Sequence, residues 1–514
     1  NHKGKTLTRF DKRTGKKEDV LVFESCLVPG TPVLMADGTT KGVEKVQVGD
    51  RVIDHLGESR LVTETMSRLV TEDIVRLRRT GHPGWLELTG NHPILVVRSA
   101  DAAYPSSKNG KHSFSKEAFA RKLDQGRVRP EFVNAADVRE GDWVVEVIPQ
   151  LDGGMTKIVT ADYTTPRNID WVAQHHAPDT SRDEEFFPDG LYAGRWKSRD
   201  RQPWIRRSCH ADGCDSIMEL RPSDRARMYC SSMCAGTWRK GKNIGNKNGN
   251  LTRHNLPDTI ELTESFGRLV GWFLAEGSVS SAAVNFALHA DETEQAQEIV
   301  NLARDCLGLT SVTVFNPTPT TLSVTVFSAP FARLMSVFGT QSGRKGLPDE
   351  FMAAPLEFLR GVADAHELGD GLHGNEASPE GQRKDSVRSH VHRHFTVSDR
   401  LASQLYLIHL MLGRTPSHTT KKAFRDNWSP LHDVWWKNLA ARHGRNTLTV
   451  RGKMAYGPWV FTRVRDVESR PYSGAVHNLE VADSHTYTAN GLAVHNCHKI
   501  SFFELSYVFE PADE

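Results

Sequence analysis

The sequence predicts a β-rich domain interrupted by a large α/β insertion of pseudo-twofold type, with a small four-cysteine module ahead of the insertion. Three observations predict it. A texture of short β segments fills residues 26–150 and returns from Trp459 to Val494 after a long stretch of different character. Within that stretch one helical motif occurs twice, and four cysteines fall between Cys209 and Cys234.

The 514 residues are enough for roughly three domains, and 38% hydrophobic with 25% charged residues is the composition of a soluble globular protein. No apolar run reaches the length of a membrane span. The opening stretch Asn1–Lys17 is basic and polar and lacks the apolar core of a secretory signal. A monomeric, cytoplasmic chain with no membrane partner is expected. The net charge of +2 points neither toward nor away from nucleic acid, but Arg195–Arg253 carries fourteen Lys or Arg against five Asp or Glu. That segment could face phosphates. The seven cysteines do not form a disulfide framework: four are clustered, Cys306 lies in a helical pattern and is expected to be buried, and Cys26 and Cys497 lie near opposite ends.

In the β part, strands are expected at Pro32–Met35, Arg51–Asp54, Ile74–Arg78, Trp85–Leu88, Ile94–Val97 and Trp143–Ile148. Val43–Val52 and Ala135–Val144 echo one another, each a turn carrying Gly-Asp before alternating apolar residues. In the insertion, Gly267–Gly277 is matched in type by Phe358–Glu367, and each is followed by an amphipathic helix ending in Leu-Gly, Glu294–Leu307 before Gly308 and Ser398–Leu412 before Gly413. A duplicated unit explains both echoes.

Ala493-Val-His-Asn-Cys497 puts an imidazole, an amide and a thiol side by side. An Asn can cut its own C-terminal peptide bond when its side-chain nitrogen attacks its own carbonyl. His495 and His485 are the available donors for the leaving amine and the carbonyl oxygen. Upstream, Cys26 could attack the Ser25 carbonyl and convert that amide to a thioester, with His92 protonating the nitrogen and Thr89 steadying the oxyanion.

These segments resemble the self-splicing, horseshoe-like Hint domain of class 1 inteins. The resemblance rests on the block at Cys26, Thr89-Gly-Asn-His92, the paired Gly-Asp strands, Val476–Val481 with Ser484–Tyr487, and His495-Asn496-Cys497. It implies cleavage at Ser25–Cys26 and Asn496–Cys497, acyl transfer from Cys26 to Cys497, cyclisation of Asn496, and an S-to-N shift joining Ser25 to Cys497. No cofactor is implied for splicing, and the partner is the host extein in cis. Asn478 departs from the family, which often carries Asp there to tune the cysteine thiols and couple the steps, so the resemblance implies that the amide slows or reroutes their coordination without abolishing splicing. Hint-type autoproteolysis without ligation is the alternative.

Leu269–Gly277 resembles the LAGLIDADG motif of homing endonucleases. Gly271 with Ala275, and Gly361 with Ala365, lie four apart on one helical face, so the two helices can approach closely. The resemblance implies a double-stranded DNA target and magnesium held by the last acid of each motif, which is Glu276 in the first. In the second, His366 stands at that place, and imidazole is a poor ligand for Mg2+. A DNA-binding domain with weak or absent cleavage is expected, an active site-specific endonuclease being the alternative.

Cys209, Cys214, Cys230 and Cys234 offer two thiolate pairs that can close a tetrahedral structural zinc site, surrounded by Arg206, Arg207, Arg221, Arg225, Arg227, Arg239 and Lys240. The expected organisation is an N-extein fragment 1–25, the Hint part 26–150, a linker 151–200, the zinc-finger-like DNA-contact module and basic linker 201–255, the endonuclease domain 256–450, the second Hint part 451–496 and a C-extein fragment 497–514.

Overall fold

The computed structural model describes residues 5–10, 17–22, 25–105, 112–113, 115–151, 154–163, 183–186, 203–210, 214–224, 227–231, 234, 256–372, 391–423, 429–437, 452–496 and 499–501. The chain divides into two compact units, Asn1–Gly154 with Asp349–Leu356 and Asp370–Glu514, and Met155–Pro348 with Glu357–Gly369.

The first unit begins with strands β1 (Pro32–Leu34), β2 (Thr40–Gly42), β3 (Arg51–Ile53), β4 (Ser59–Arg79), β5 (Leu86–Thr89) and β6 (Pro93–Val97). Helix α1 (Lys116–Asp124), capped by the Ser115 hydroxyl, and strands β7 (Glu131–Asn134) and β8 (Trp143–Val147) follow. The Gly-Asp echo is a repeated local structure. Val43–Lys45 and Ala135–Asp137 are single 3-10 turns, and Gly49 and Gly141 then adopt φ of +95° and +93°, where a side chain would be strained. Asp50 accepts the Gln47 amide at 2.9 Å and Asp142 the Arg139 amide at 3.1 Å, so each carboxylate closes its turn just before a strand starts.

In the second unit, α2 (Glu264–Glu276) starts at Thr263, whose hydroxyl accepts the Phe266 amide. Strands β9 (Gly277–Val279) and β10 (Ala283–His289), helix α3 (Thr293–Leu307), strands β11 (Val312–Thr318) and β12 (Thr321–Phe327), and later α4 (Leu356–Gly369) follow. Helix α3 stops at Gly308 with φ of +66°. Helices α2 and α4 pack backbone to backbone: a Cβ on Gly271 would lie 2.9 Å from the Ala365 Cβ and collide with the Val362 carbonyl, and one on Gly361 would collide with the Glu264 carbonyl. The Phe266 and Phe358 rings stack at 6.0 Å. Small residues four apart thus permit the close approach expected of them.

After α4 come β13 (Gly371–Leu372), β14 (Val391–Thr396), α5 (Asp399–Met411, capped by Ser398), β15 (Ser417–Lys421) and β16 (Leu431–Lys437). Their sheet order, β13-β14-β16-β15, repeats that of β9-β10-β12-β11, and all pairings are antiparallel. The two helix-led halves share one topology. The compact units nevertheless cut across the expected 256–450 domain, since 370–450 groups with the β-rich part. The reason is physical: the His418 amide donates to the Gly81 carbonyl at 2.9 Å, and Tyr406 and Lys453 share a buried carboxylate with β8.

Strands β17 (Lys453–Tyr456), β18 (Trp459–Val481), β19 (Thr486–Ala489) and β20 (Leu492–His495) complete the first unit. A twelve-stranded sheet runs β2-β1-β19-β20-β6-β8-β18-β4-β3, with β7 on β6, β17 on β18 and β5 on β4. The late hairpin β19–β20 is inserted between early strands, with Ala489 opposite Val33 and Val494 opposite Ile94. Alternate residues feed two cores: Val33, Val52, Ile94, Val96 and Val144 face one, Leu34, Ile53, Leu95, Val97 and Val145 the other. A separate three-stranded sheet joins Lys5–Phe10, Lys17–Val22 and Lys499–Ser501, with Val22 opposite Lys499. No helix among the described residues is long and apolar enough to cross a membrane.

Candidate functional site

Ser25 and Cys26 are buried at 3% and 4% exposure, held between the ends of β5 and β18. Leu27 exchanges backbone hydrogen bonds with His477 at 2.7 and 2.8 Å, and the Thr89 amide donates to the Cys26 carbonyl at 2.9 Å. The chain entering the domain is therefore clamped on both sides of a nucleophile-bearing residue.

Thr89 is fully buried, and its hydroxyl accepts the Cys26 amide at 2.9 Å. It donates toward Asn91 Oδ1 at 2.7 Å, with the Cys26 carbonyl at 3.3 Å. It was expected to face the Ser25 carbonyl oxygen, and that contact belongs instead to Asn478, whose Nδ2 donates at 2.6 Å. One hydroxyl hydrogen cannot serve three acceptors.

His92 is completely buried and neither ring nitrogen has a hydrogen-bond partner among the described residues. Burial, reinforced by nearby His495, pulls its pKa down to about 3. The imidazole is thus neutral, and it makes no hydrogen bond to the Cys26 nitrogen that it was expected to protonate.

At the downstream junction, Asn496 is 2% exposed and its side-chain amide makes no hydrogen bond among the described residues. Its backbone is fixed: the amide donates to the His485 carbonyl at 2.8 Å, and the carbonyl oxygen lies 3.0 Å from His495 Nδ1. His485, at φ of +53°, pairs with Glu480 Oε1 at 3.0 Å, and its ring stacks on that of His495 at 6.5 Å. The Phe132 ring meets His495 edge-on at 5.0 Å. Cys497 lies outside the described residues.

Two residues of this site were not expected to meet the Ser25 junction. Asn478 was noted only as a departure, and Tyr487, whose hydroxyl donates to Asn478 Oδ1 at 2.7 Å, was only part of a motif. The one available signal was the polar Asn478 between Val476, Leu479 and Val481, which are all buried.

In the second unit, Glu276 ends α2, and the position of a Cβ on Gly369 would be 3.5 Å from Glu276 Oε1. Gly277 ends that helix in an extended conformation, φ −80°. Lys345 Nζ donates to the Phe273 and Ala275 carbonyls at 2.9 and 3.2 Å, a cation at a helix C-terminus. His366 is fully buried, and burial together with Lys345 lowers its pKa to about 3. Helix α4 continues through it and Glu367 to Gly369. Cys306 is half-exposed rather than buried and lines a cavity of about 750 Å3 with Thr259, Glu261 and Glu298. That cavity contains no predicted site residue.

The ligand atoms of Cys209, Cys214, Cys230 and Cys234 lie within 4.8 Å of one another, with Cys214–Cys230 and Cys230–Cys234 sulfurs 3.7 and 3.5 Å apart. The cluster packs on Met228 and Tyr229 beside the hairpin Trp204–Ser208/Ile217–Leu220. Four thiols this close could bind a metal ion, and an all-sulfur donor set is what zinc accepts. Of the expected basic neighbours, Arg207 is buried and paired with Asp183 while Arg206 bonds Glu219 at 3.1 Å. Arg225, Arg239 and Lys240 lie outside the described residues.

No family model matches the chain. It is 22% identical over 492 residues to an iron–sulfur cluster assembly SufBD family protein of Mycobacterium tuberculosis, covering 92% of this chain and 43% of that one. It is 23% identical over 368 residues to an ATP-dependent DNA helicase of Thermococcus kodakarensis, covering 65% of this chain and 30% of that one. The chain thus spans less than half the length of these relatives. Among solved structures, a bacterial intein-like domain from Clostridium thermocellum aligns at 22% identity and a TM-score of 0.15, over 24% of this chain and 66% of that one.

Proposed function

We propose that residues 26–496 excise themselves and join Ser25 to Cys497, the activity of a class 1 intein. The observation that carries this is Asn496: a buried amide with no hydrogen bond among the described residues costs about 1–3 kcal/mol, and here it belongs to the residue whose own carbonyl oxygen is held by His495. An amide not held elsewhere can turn its nitrogen onto its own carbonyl carbon. Two further observations support the reading. The flanks Lys17–Val22 and Lys499–Ser501 are paired strands, as substrates of a ligation should be. And one chain resembles an iron–sulfur assembly protein and a helicase over less than half of each, as an element inserted into unrelated hosts would.

In this reading the Cys26 sulfur adds to the Ser25 carbonyl, the C–N bond breaks, and the thiol proton passes to the amide nitrogen, with neutral His92 as the carrier. The Cys497 thiol displaces Cys26 from the thioester. Asn496 Nδ2 then attacks its own carbonyl carbon, releasing the Cys497 amine and leaving a succinimide. The S-to-N shift completes the new peptide bond. Intact-mass measurement of the freshly expressed chain should find the free 26–496 segment and a joined 1–25/497–514 peptide, and Cys26→Ala should remove the joined product. Separate flanks from the unaltered chain would mean autoproteolysis without ligation.

The insertion is proposed to be a LAGLIDADG-type domain that binds duplex DNA and cleaves it weakly or not at all, with the cysteine cluster as a structural zinc module. The close helix pair, the repeated sheet order and the buried, uncharged His366 support this. The chain should bind one zinc per molecule, and stripping it should weaken binding to duplex DNA spanning the uninterrupted host junction. Nicking of that duplex with Mg2+ should be slow or undetectable. Rapid double-strand cleavage would refute the reading of His366, and zinc-free protein with full DNA affinity would refute the module.

A further inference from the structure

We infer that Asn478 is the hydrogen-bond donor that activates the Ser25 carbonyl for attack by Cys26, and that Tyr487 is the positioning residue that aims it; this rests on the splicing reading.

The orientation of the Asn478 amide is determined by its neighbours. The Leu479 backbone N–H donates to Asn478 Oδ1 at 2.8 Å, and a backbone N–H can only donate. Rotating the amide by half a turn would set an NH2 group against that donor and an oxygen against the Ser25 carbonyl oxygen, two repulsive contacts in a buried site. Nδ2 therefore faces Ser25, donating to its carbonyl oxygen at 2.6 Å with the Ser25 hydroxyl oxygen at 3.3 Å. The Tyr487 hydroxyl, from fully buried β19, adds a second donor to Oδ1 at 2.7 Å and so polarises the amide as well as locking it.

Attack on the Ser25 carbonyl moves negative charge onto the oxygen that Asn478 already holds. A donor fixed before the reaction in a water-excluded site stabilises that charge without reorganisation. Thr89 is unavailable for this, because its hydroxyl accepts from the Cys26 amide and donates elsewhere. Asn478 is 1% exposed, so no solvent donor replaces it. A carboxylate at this place would be acceptor-only and could donate only when protonated. The amide keeps the donor at every pH, and the first step then follows the Cys26 thiol alone.

The test uses the full chain carrying Asn496→Ala, which blocks the downstream step, and measures release of 1–25 by dithiothreitol, which traps the upstream thioester. The parent should release it faster as pH rises from 5 to 8.5, because thiolate accumulates. Adding Asn478→Asp should slow release by about 10²–10³ near pH 8, by the loss typical of one oxyanion donor. The deficit should shrink as pH falls and the carboxyl protonates. Tyr487→Phe should slow it by about tenfold without changing the pH profile. Release by Asn478→Asp at the parent rate, or a deficit that is the same at pH 5 and 8.5, would overturn the inference, the second outcome marking a purely structural role. Failure of the parent itself to release 1–25 with thiol would instead overturn the splicing reading.

Discussion

Replacing Asn496 with Ala will abolish cleavage at the Asn496–Cys497 bond and leave an unspliced chain that still forms the upstream thioester. The expected fall is more than about 10⁴-fold, because the substitution deletes the nucleophile and the reaction loses the effective molarity of a nucleophile held next to its target. Among the described residues, the hydrogen bonds of Asn496 itself are made by its backbone: its amide on the His485 carbonyl and its carbonyl on His495. Ala keeps both. The variant also removes a buried amide that has no hydrogen bond among the described residues, so its unfolding midpoint should not fall. Following the appearance of 497–514 by mass over days measures the loss directly, and residual cleavage within tenfold of the parent would exclude Asn496 as the nucleophile.

The second large effect is on stability, at Glu146. This carboxylate is wholly buried on β8, where Arg79 Nε and Lys453 Nζ each lie 3.1 Å from its Oε1 and the Thr462 hydroxyl donates at 2.6 Å. The Tyr406 hydroxyl donates to the other oxygen, and Lys453 continues to the Pro416 carbonyl at 2.7 Å. Glu146→Ala or Glu146→Gln leaves two buried cations without their counter-charge, which costs about 3–5 kcal/mol. The unfolding midpoint should drop by roughly 10 °C, and Gln, which keeps the volume, should cost nearly as much as Ala. Glu146 also faces Leu492 on β20, the strand that delivers His495, so splicing should slow in both variants.

The same residue sets a pH dependence. Burial opposes ionisation of Glu146, but Lys453 and Arg79 outweigh it and hold the carboxyl well below its ordinary value of 4.5. A group depressed on folding contributes its stabilisation above its unfolded pKa and loses it as pH falls through the folded one. The parent should therefore lose stability steadily below about pH 4.5, with a flatter acid limb for Glu146→Gln. Identical acid limbs would show that the pair is not what keeps this interior together.

Much of this was legible in the sequence where the signal is local. The Gly-Asp turns, the stops at Gly308 and Gly413, and the close approach at Gly271 and Gly361 each follow from a few consecutive residues. Cys26, Thr89, His92, His495 and Asn496 were singled out in the same way, as residue types in short motifs, and the structure buries Cys26, Thr89, His92 and Asn496. The full lengths of β4 and β18 were not legible: only Ile74–Arg78 stood out of a strand running from Ser59 to Arg79, and the short β segments expected from Trp459 onward form one strand reaching Val481. Long exposed stretches of that ribbon, including Leu69 at 83% exposure, give no two-residue apolar rhythm. Asn478 reaches Ser25 across 453 residues and Lys453 reaches Glu146 across 307, so neither partnership has a local trace. Thr89 bonds Asn91 while Asn478 holds the Ser25 carbonyl, because residue type names a capacity to hydrogen-bond and the register of the strands selects the partner.

The most direct measurement of the central claim is tandem mass spectrometry of the small product from the freshly expressed chain under reducing conditions. A fragment series that runs from Glu24 through Ser25 directly into Cys497 and His498 is the predicted result. Peptides ending at Ser25 and beginning at Cys497 as separate species, or an intact chain retaining both junctions, would contradict it.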